Sequence, residues 1–192
     1  VLNERGLDRA LATGIGEINT VVVVTDTFSR ENQGMSTAEA AAMSDRVARR
    51  ARDAGLRTGV TLSASFGCPF EGVVPAERVV ALARQAADAG ADEIALAVTI
   101  GAAVPNQTED LVAAVAEATR VPIRVHLHNS RNTGLANAVA AIHGGAMALD
   151  ASTGGIGGCP FAPGATGNIA TEDLVHMLEG MGISTGANVE LL

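Results

Sequence analysis

Short runs of β-branched and aliphatic residues alternate with longer amphipathic segments along the whole chain, and each change-over carries its own turn chemistry. The run Val21 to Thr25, four valines and a threonine, reads as a strand buried on both faces. Ser36-Thr37-Ala38-Glu39 reads as a capping box, predicting a helix that runs to about Ala54 and stops at Gly55. A second strand is expected over about Thr58 to Ala64. Pro75 then stands where a first helical residue belongs, Val79, Val80, Leu82, Ala83 and Ala86 form the inner face, and Gly90 ends the helix. The third strand is Glu93 to Val98, and Thr108 reads as the cap of a helix whose first turn carries Glu109 and Asp110. Ile123 to His128 is a fourth strand, followed by a helix from about Thr133 to His143. Ala146 to Ala151 is a fifth, then come a Gly-rich loop, a short strand near Gly167-Asn168 and a helix opened by Thr171, Glu172 and Asp173.

Repeated βα units predict parallel strands with helices outside. An open doubly wound sheet announces its ligand site with a Gly-rich turn after the first strand, and none follows Val21 to Thr25. Polar residues gather instead at the C-terminal ends of several strands, where barrels keep their chemistry. A full barrel takes about 250 residues. The chain has 192 and opens on Val1. The expectation is therefore α/β, a (β/α)8 TIM barrel that is incomplete and lacks its first strands. Residues 1–192 would be a single catalytic barrel domain, the C-terminal two-thirds.

Composition removes several chemistries. All 13 basic residues are Arg, and there is no Lys, Tyr or Trp. Schiff-base aldolases, pyridoxal enzymes and P-loops need a lysine. A net charge of −8 with four Phe as the only aromatics argues against a nucleic-acid partner. The longest aliphatic run, Val21 to Val24, is far short of a membrane span, and no signal-peptide pattern opens the chain. Two Cys make no disulfide framework, so a reducing, cytoplasmic location is expected.

The strongest local feature is Ile123-Arg124-Val125-His126-Leu127-His128-Asn129. Strand alternation puts His126 and His128 on one face, which at the end of a barrel strand looks into the mouth. Two imidazoles at i and i+2 can hold one metal ion from one side, and without such a partner a paired set is costly. The loop from Gly154 to Asn168 contains six Gly and one thiol, Cys159, a composition that suits a flap closing over a ligand. Asn168 offers a neutral oxygen to a hard metal, or serves as a turn residue. Glu71 reads as a solvated loop acid, and His143 and His176 as outer-surface residues of helices.

Three stretches carry a resemblance: Ser65-Phe66-Gly67-Cys68-Pro69-Phe70-Glu71-Gly72, His126-Leu127-His128-Asn129, and Gly157 to Asn168 continuing through Ala170-Thr171-Glu172-Asp173-Leu174-Val175. In order and over nearly the whole chain they resemble the 3-hydroxy-3-methylglutaryl-CoA lyase family. The resemblance implies a divalent metal, Mg²⁺ or Mn²⁺, held by His126, His128, Asn168 and an Asp of the first barrel strand, a position that would precede Val1. It implies an acyl-CoA substrate whose C–C bond breaks to give acetyl-CoA and a keto acid, as in leucine catabolism. Cys159 is the implied acid/base, His126 an implied proton shuttle as well as a ligand, and Glu172 an implied support of the catalytic site. Gly157 and Gly158 belong to the implied substrate loop. A homodimer is left open as the assembly.

The sequence departs from the family's pattern in two places. Ala97-Val98-Thr99-Ile100-Gly101 stands where the family has Gly-Asp-Thr-Ile-Gly, so Val98 replaces an acid. Thr58-Gly59-Val60-Thr61 stands for an Arg-Gly-Tyr pattern, which suggests a related 3-hydroxyacyl-CoA with a different side group. The competing readings are a condensing synthase or 4-hydroxy-2-oxoacid aldolase of the same barrel group, and a non-catalytic barrel homologue. Cys159 separates the first of these from a lyase.

Overall fold

A computed structural model describes residues 1–158 and 167–191. Five strands alternate with helices: β1 (Glu17–Val23), β2 (Arg57–Ser63), β3 (Glu93–Val98), β4 (Ile123–Leu127) and β5 (Ala148–Asp150). They form one sheet in the order β1-β2-β3-β4-β5, and every pairing is parallel. Each strand therefore lies beside its sequence neighbour. A doubly wound sheet reverses its order at a switch point; this sheet does not, and the arrangement is that of a partial barrel.

The helices are α1 (Glu4–Leu11), α2 (Asp26–Gln33), α3 (Thr37–Asp53), α4 (Ala76–Asp88), α5 (Pro105–Thr119), α6 (Gly134–His143) and α7 (Thr171–Gly180). The Ser36–Glu39 capping box is formed in both directions, and Gly55 and Gly90 take the positive φ that ends α3 and α4. The main core joins Val22, Val60, Leu62, Ile94, Leu96, Val125 and Leu127 of the strands to Ala40, Val79, Val112 and Leu174 of the helices. Its small residues let helices and sheet approach closely. A second cluster seats α1 through Leu7 against Ile18, Met43 and Val47.

Several boundaries differ from the sequence reading, each for a physical reason. β1 begins at Glu17, because Glu17, Asn19 and Val21 point inward while Ile18, Thr20 and Val22 meet the core. The valine run is only the end of this alternating strand. Pro75 is the extended residue before α4, with ψ 135°, and the helix starts at Ala76. Thr108 does not cap α5. The helix already starts at Pro105, whose fixed φ suits a first helical position, and Thr108 is buried with its hydroxyl donating to the Val104 carbonyl at 3.2 Å. β5 is shorter than expected, three residues. The short strand near Gly167 consists of two isolated bridges, His128 with Asn168 and Ser152 with Ala170. Helices α1 and α2 carry too few apolar residues to stand out in sequence.

Candidate active site at the barrel mouth

Inward residues of β1 to β5 and the loop after β5 enclose an open cavity of about 520 Å³ at the C-terminal ends of the strands. Asn19, Thr61, Ser63 and Thr99 supply a neutral polar wall, and His126, His128, Asp150 and Asn168 supply the reactive groups. Gly157 and Gly158 also line it.

Alternation along β4 is as the sequence predicted. Ile123, Val125 and Leu127 are buried in the core, and Arg124 and His126 face the mouth. His128 follows on the same face and is 4% exposed. The two imidazoles converge, with His126 Nε2 and His128 Nε2 3.2 Å apart. Burial pushes the His128 imidazole below its ordinary pKa; the neighbouring His126 adds to this, and the Thr99 backbone and Asn168 side chain work against it. The protonated form of His128 is therefore disfavoured in this site.

Asn168 reaches the pair because residues 167–169 stitch onto the end of β4: Asn129 N donates to Gly167 O at 2.9 Å and Ile169 N to Leu127 O at 3.2 Å. Its amide is oriented. Asn168 Nδ2 donates to Ile156 O at 2.9 Å, which leaves Oδ1 buried without a hydrogen bond. Gly157 makes room, since a Cβ there would lie 3.1 Å from Asn168 Nδ2 at a φ of +100°. His128 Nδ1 likewise has no hydrogen-bond partner of good geometry.

An arginine inside a barrel demands acids. Arg124 donates through Nε to Glu93 Oε1 at 2.6 Å, through Nη2 to Glu93 Oε2 at 3.2 Å and through Nη1 to Asp150 Oδ1 at 2.9 Å. Its pKa is raised by the Glu93 and then the Asp150 hydrogen bonds. The other Asp150 oxygen lies 3.3 Å from His126 Nδ1. Burial works to raise the Asp150 pKa, and the His126 and Arg124 hydrogen bonds together outweigh it, so it titrates below the ordinary aspartate value. Sequence reasoning missed Glu93, Arg124 and Asp150. A signal was present in Arg124, two residues before His126 on the same face, but its partners depend on strand register.

Glu172 is not in the cavity wall. Both carboxylate oxygens accept from Gly154 N, at 2.9 and 3.0 Å, so it fastens the loop root to the start of α7. Its contact is with the backbone of the loop that borders the cavity. Cys159 lies outside the described residues. Cys68 is a buried structural thiol that accepts the Thr25 hydroxyl at 3.0 Å. Glu71 accepts from Thr27 N at 2.7 Å at the start of α2 and lies 3.6 Å from Arg78. His143 and His176 are exposed on their helices. Val98 is 1% exposed and packs in the core, so the position that departs from the family's acidic pattern does not face the mouth.

The donor set suits a hard divalent ion. Cis ligands of an octahedral ion at about 2.1 Å stand about 3.0 Å apart, close to the 3.2 Å between the two Nε2 atoms. The buried Asn168 oxygen could serve as the oxygen donor that such an ion prefers over thiolate. Among the described residues no three His, Cys, Asp or Glu side chains cluster for a metal, and a further polar oxygen lining the cavity beside the two histidines is that of Asn168.

Fold and site together define a partial parallel α/β barrel with nitrogen and oxygen side chains gathered at its mouth. The profile of the HMGL-like family matches residues 1–192, and the chain belongs to that family. The family is generally metal-dependent. Among its relatives, the (R)-citramalyl-CoA lyase of Chloroflexus aurantiacus is 47% identical over 195 residues, covering 100% of this chain and 61% of that protein. The structure of an HMG-CoA lyase from Bacillus subtilis superposes with a TM-score of 0.92 at 43% identity, covering 99% of this chain and 64% of that one. An HMG-CoA lyase from Acinetobacter baumannii, in complex with coenzyme A and 3-methylmalate, gives a TM-score of 0.92 at 36% identity, covering 98% and 62%. The chain thus spans about three fifths of the length of these relatives. Among the described residues no helix is long and apolar enough to cross a membrane.

Proposed function

We propose that this chain carries most of the active site of a metal-dependent carbon–carbon lyase acting on a 3-hydroxyacyl-CoA. The observation that carries the reading is the convergence of His126 Nε2, His128 Nε2 and the unsatisfied Asn168 Oδ1 on one cavity. These three side chains would hold Mg²⁺ or Mn²⁺. When bound, such an ion supplies Lewis-acid polarisation of a substrate hydroxyl and carboxylate.

The chain's own groups do the rest. The loop glycines Gly157 and Gly158 let a thioester approach the backbone at the cavity rim. The Asn19, Thr61, Ser63 and Thr99 wall offers hydrogen bonds without added charge, which suits the uncharged part of the acyl group. Loss of the substrate hydroxyl proton breaks the bond between the carbinol carbon and the thioester's α-carbon. That gives a keto acid and a thioester enolate, and protonation of the enolate gives acetyl-CoA. Cys159, on sequence grounds, is proposed as the acid/base for these transfers. His126, held through Nδ1 by Asp150, is better suited to a ligand role than to carrying protons.

Two substrates are in view: 3-hydroxy-3-methylglutaryl-CoA, and citramalyl-CoA, which is one methylene shorter before its terminal carboxylate. The second is favoured by the 47% identity to a citramalyl-CoA lyase against 43% to a hydroxymethylglutaryl-CoA lyase. The test is incubation with each thioester and Mg²⁺ or Mn²⁺. The expected result is metal-dependent acetyl-CoA release, with pyruvate from citramalyl-CoA or acetoacetate from the longer substrate. No release from either sinks the proposal. Unchanged release by Cys159→Ala removes the thiol from the mechanism.

A further inference from the structure

Four groups from three strands form a chain across the barrel interior: Glu93 of β3, Arg124 and His126 of β4, and Asp150 of β5. The residues are brought together by register. Arg124 pairs with Ala95 on one side and Ala148 on the other, and His126 is opposite Asp150. Alanines at these inward positions leave space for the long guanidinium and its acids.

The donor and acceptor inventory fixes how the chain is wired. A guanidinium only donates, and an ionised carboxylate only accepts. Arg124 therefore spends Nη1 on Asp150 Oδ1, at 2.9 Å, and its other contacts on Glu93. Asp150 Oδ2 is left as an acceptor 3.3 Å from His126 Nδ1, so that nitrogen must carry the proton. A neutral imidazole with its proton on Nδ1 has its lone pair on Nε2. That is the atom that faces His128 and the cavity.

We propose that Asp150 is a positioning residue which, braced by the Arg124–Glu93 pair, locks His126 in the Nδ1–H tautomer and aims its Nε2 lone pair into the cavity. Glu93 enters only through Arg124: it takes the guanidinium's Nε and Nη2, so Nη1 is held toward Asp150. The value of this arrangement rests on the metal-site reading above, because an imidazole with a proton on Nε2 cannot bind an ion there.

The decisive variant is Asp150→Asn, which keeps the shape and changes the polarity of one atom. Arg124 still demands an oxygen, so the new amide turns its NH2 toward His126 Nδ1, and the imidazole proton moves to Nε2. Long-range ¹H–¹⁵N NMR of the full chain without metal, at about pH 8, where an ordinary imidazole is neutral, reads the tautomer directly. The expected result is His126 as Nδ1–H in the wild type and as Nε2–H in Asp150→Asn. Asp150→Ala, which removes the acceptor without adding a donor, is expected to give a mixture of both tautomers and serves as the second variant. Mn²⁺ titration is expected to show affinity weakened roughly 10–100-fold in Asp150→Asn. A His126 that keeps Nδ1–H in both variants overturns the proposal whatever the metal does. A tautomer that switches in a protein whose wild type binds no Mn²⁺ upholds the positioning role and counts against the metal site alone.

Discussion

His126 and His128 bring their Nε2 atoms to 3.2 Å across a single strand face, at the mouth of a partial barrel. Two neutral rings at this distance satisfy each other with one hydrogen bond. Two ring nitrogens facing an ion satisfy it with two ligands. The surrounding groups favour the second use, because the Asn168 side chain stands beside His128 and its buried oxygen makes no well-formed hydrogen bond.

Removing the buried ring isolates this use. In His128→Ala, Mn²⁺ affinity measured by calorimetry is expected to fall by at least about 100-fold, since a chelating ligand is lost. Far-UV circular dichroism is expected to stay that of the wild type, because His128 lies past the end of β4 and its ladder. Retained affinity would remove His128 from the site.

Arg124 has a structural debt as well as a wiring role. In Arg124→Met, Glu93 and Asp150 lose their shared cation and face each other across β4. Breaking a buried pair costs about 3–5 kcal/mol; with the Arg124 side chain 35% exposed, about 2 kcal/mol is the better expectation. Urea unfolding checks the value, and the double variant Arg124→Met with Glu93→Gln should recover part of the loss.

Gly134 opens α6 directly beneath the site. A Cβ there would collide with the Ile169 side chain and lie 2.9 Å from Asn129 Oδ1. Gly134→Ala is expected to cost about 1–3 kcal/mol, as overpacking does. It should also displace Asn168, the neighbour of Ile169, so metal affinity and thermal stability should fall together. A melting temperature unchanged from the wild type would contradict this packing.

Glu172 gives a pH dependence whose sign is fixed. Its pKa is lowered from 4.5 by hydrogen bonds from its own backbone amide and from that of Gly154. A depressed carboxyl stabilises the loop root fully above the ordinary glutamate value, and the contribution is lost as pH falls through the lower folded value. Carboxyl ¹³C titration should therefore give a midpoint below 4.5. Gly154 amide exchange, corrected for its intrinsic pH dependence, should rise over the same range. In Glu172→Gln the pH-dependent part of that protection is expected to vanish.

Val98 tests the departure from the family's pattern. Its side chain is buried among core residues, so Val98→Asp places a carboxyl where no partner waits. The expected outcome is a loss of about 3 kcal/mol or more, seen as a lower melting temperature, and no gain of metal binding.

The βα alternation, the helix stops at Gly55 and Gly90 and the shared face of His126 and His128 were legible because each follows from local periodicity or a glycine's backbone freedom. What was not legible depends on neighbours. Asp150 and Glu93 are ordinary acids until β3, β4 and β5 fall into register around Arg124. Thr108 resembled a cap because Glu109 and Asp110 follow it, but the proline three residues earlier had already begun the helix. Val98 stood out against the family motif, yet which face of β3 it occupies is decided by the sheet.

The most direct test of the central claim is pulsed electron paramagnetic resonance of Mn²⁺ bound to protein carrying ¹⁵N-histidine. The account predicts nitrogen couplings from two imidazoles in the wild type and from one in His128→Ala. Bound Mn²⁺ with no imidazole coupling, or no binding at all, would contradict it.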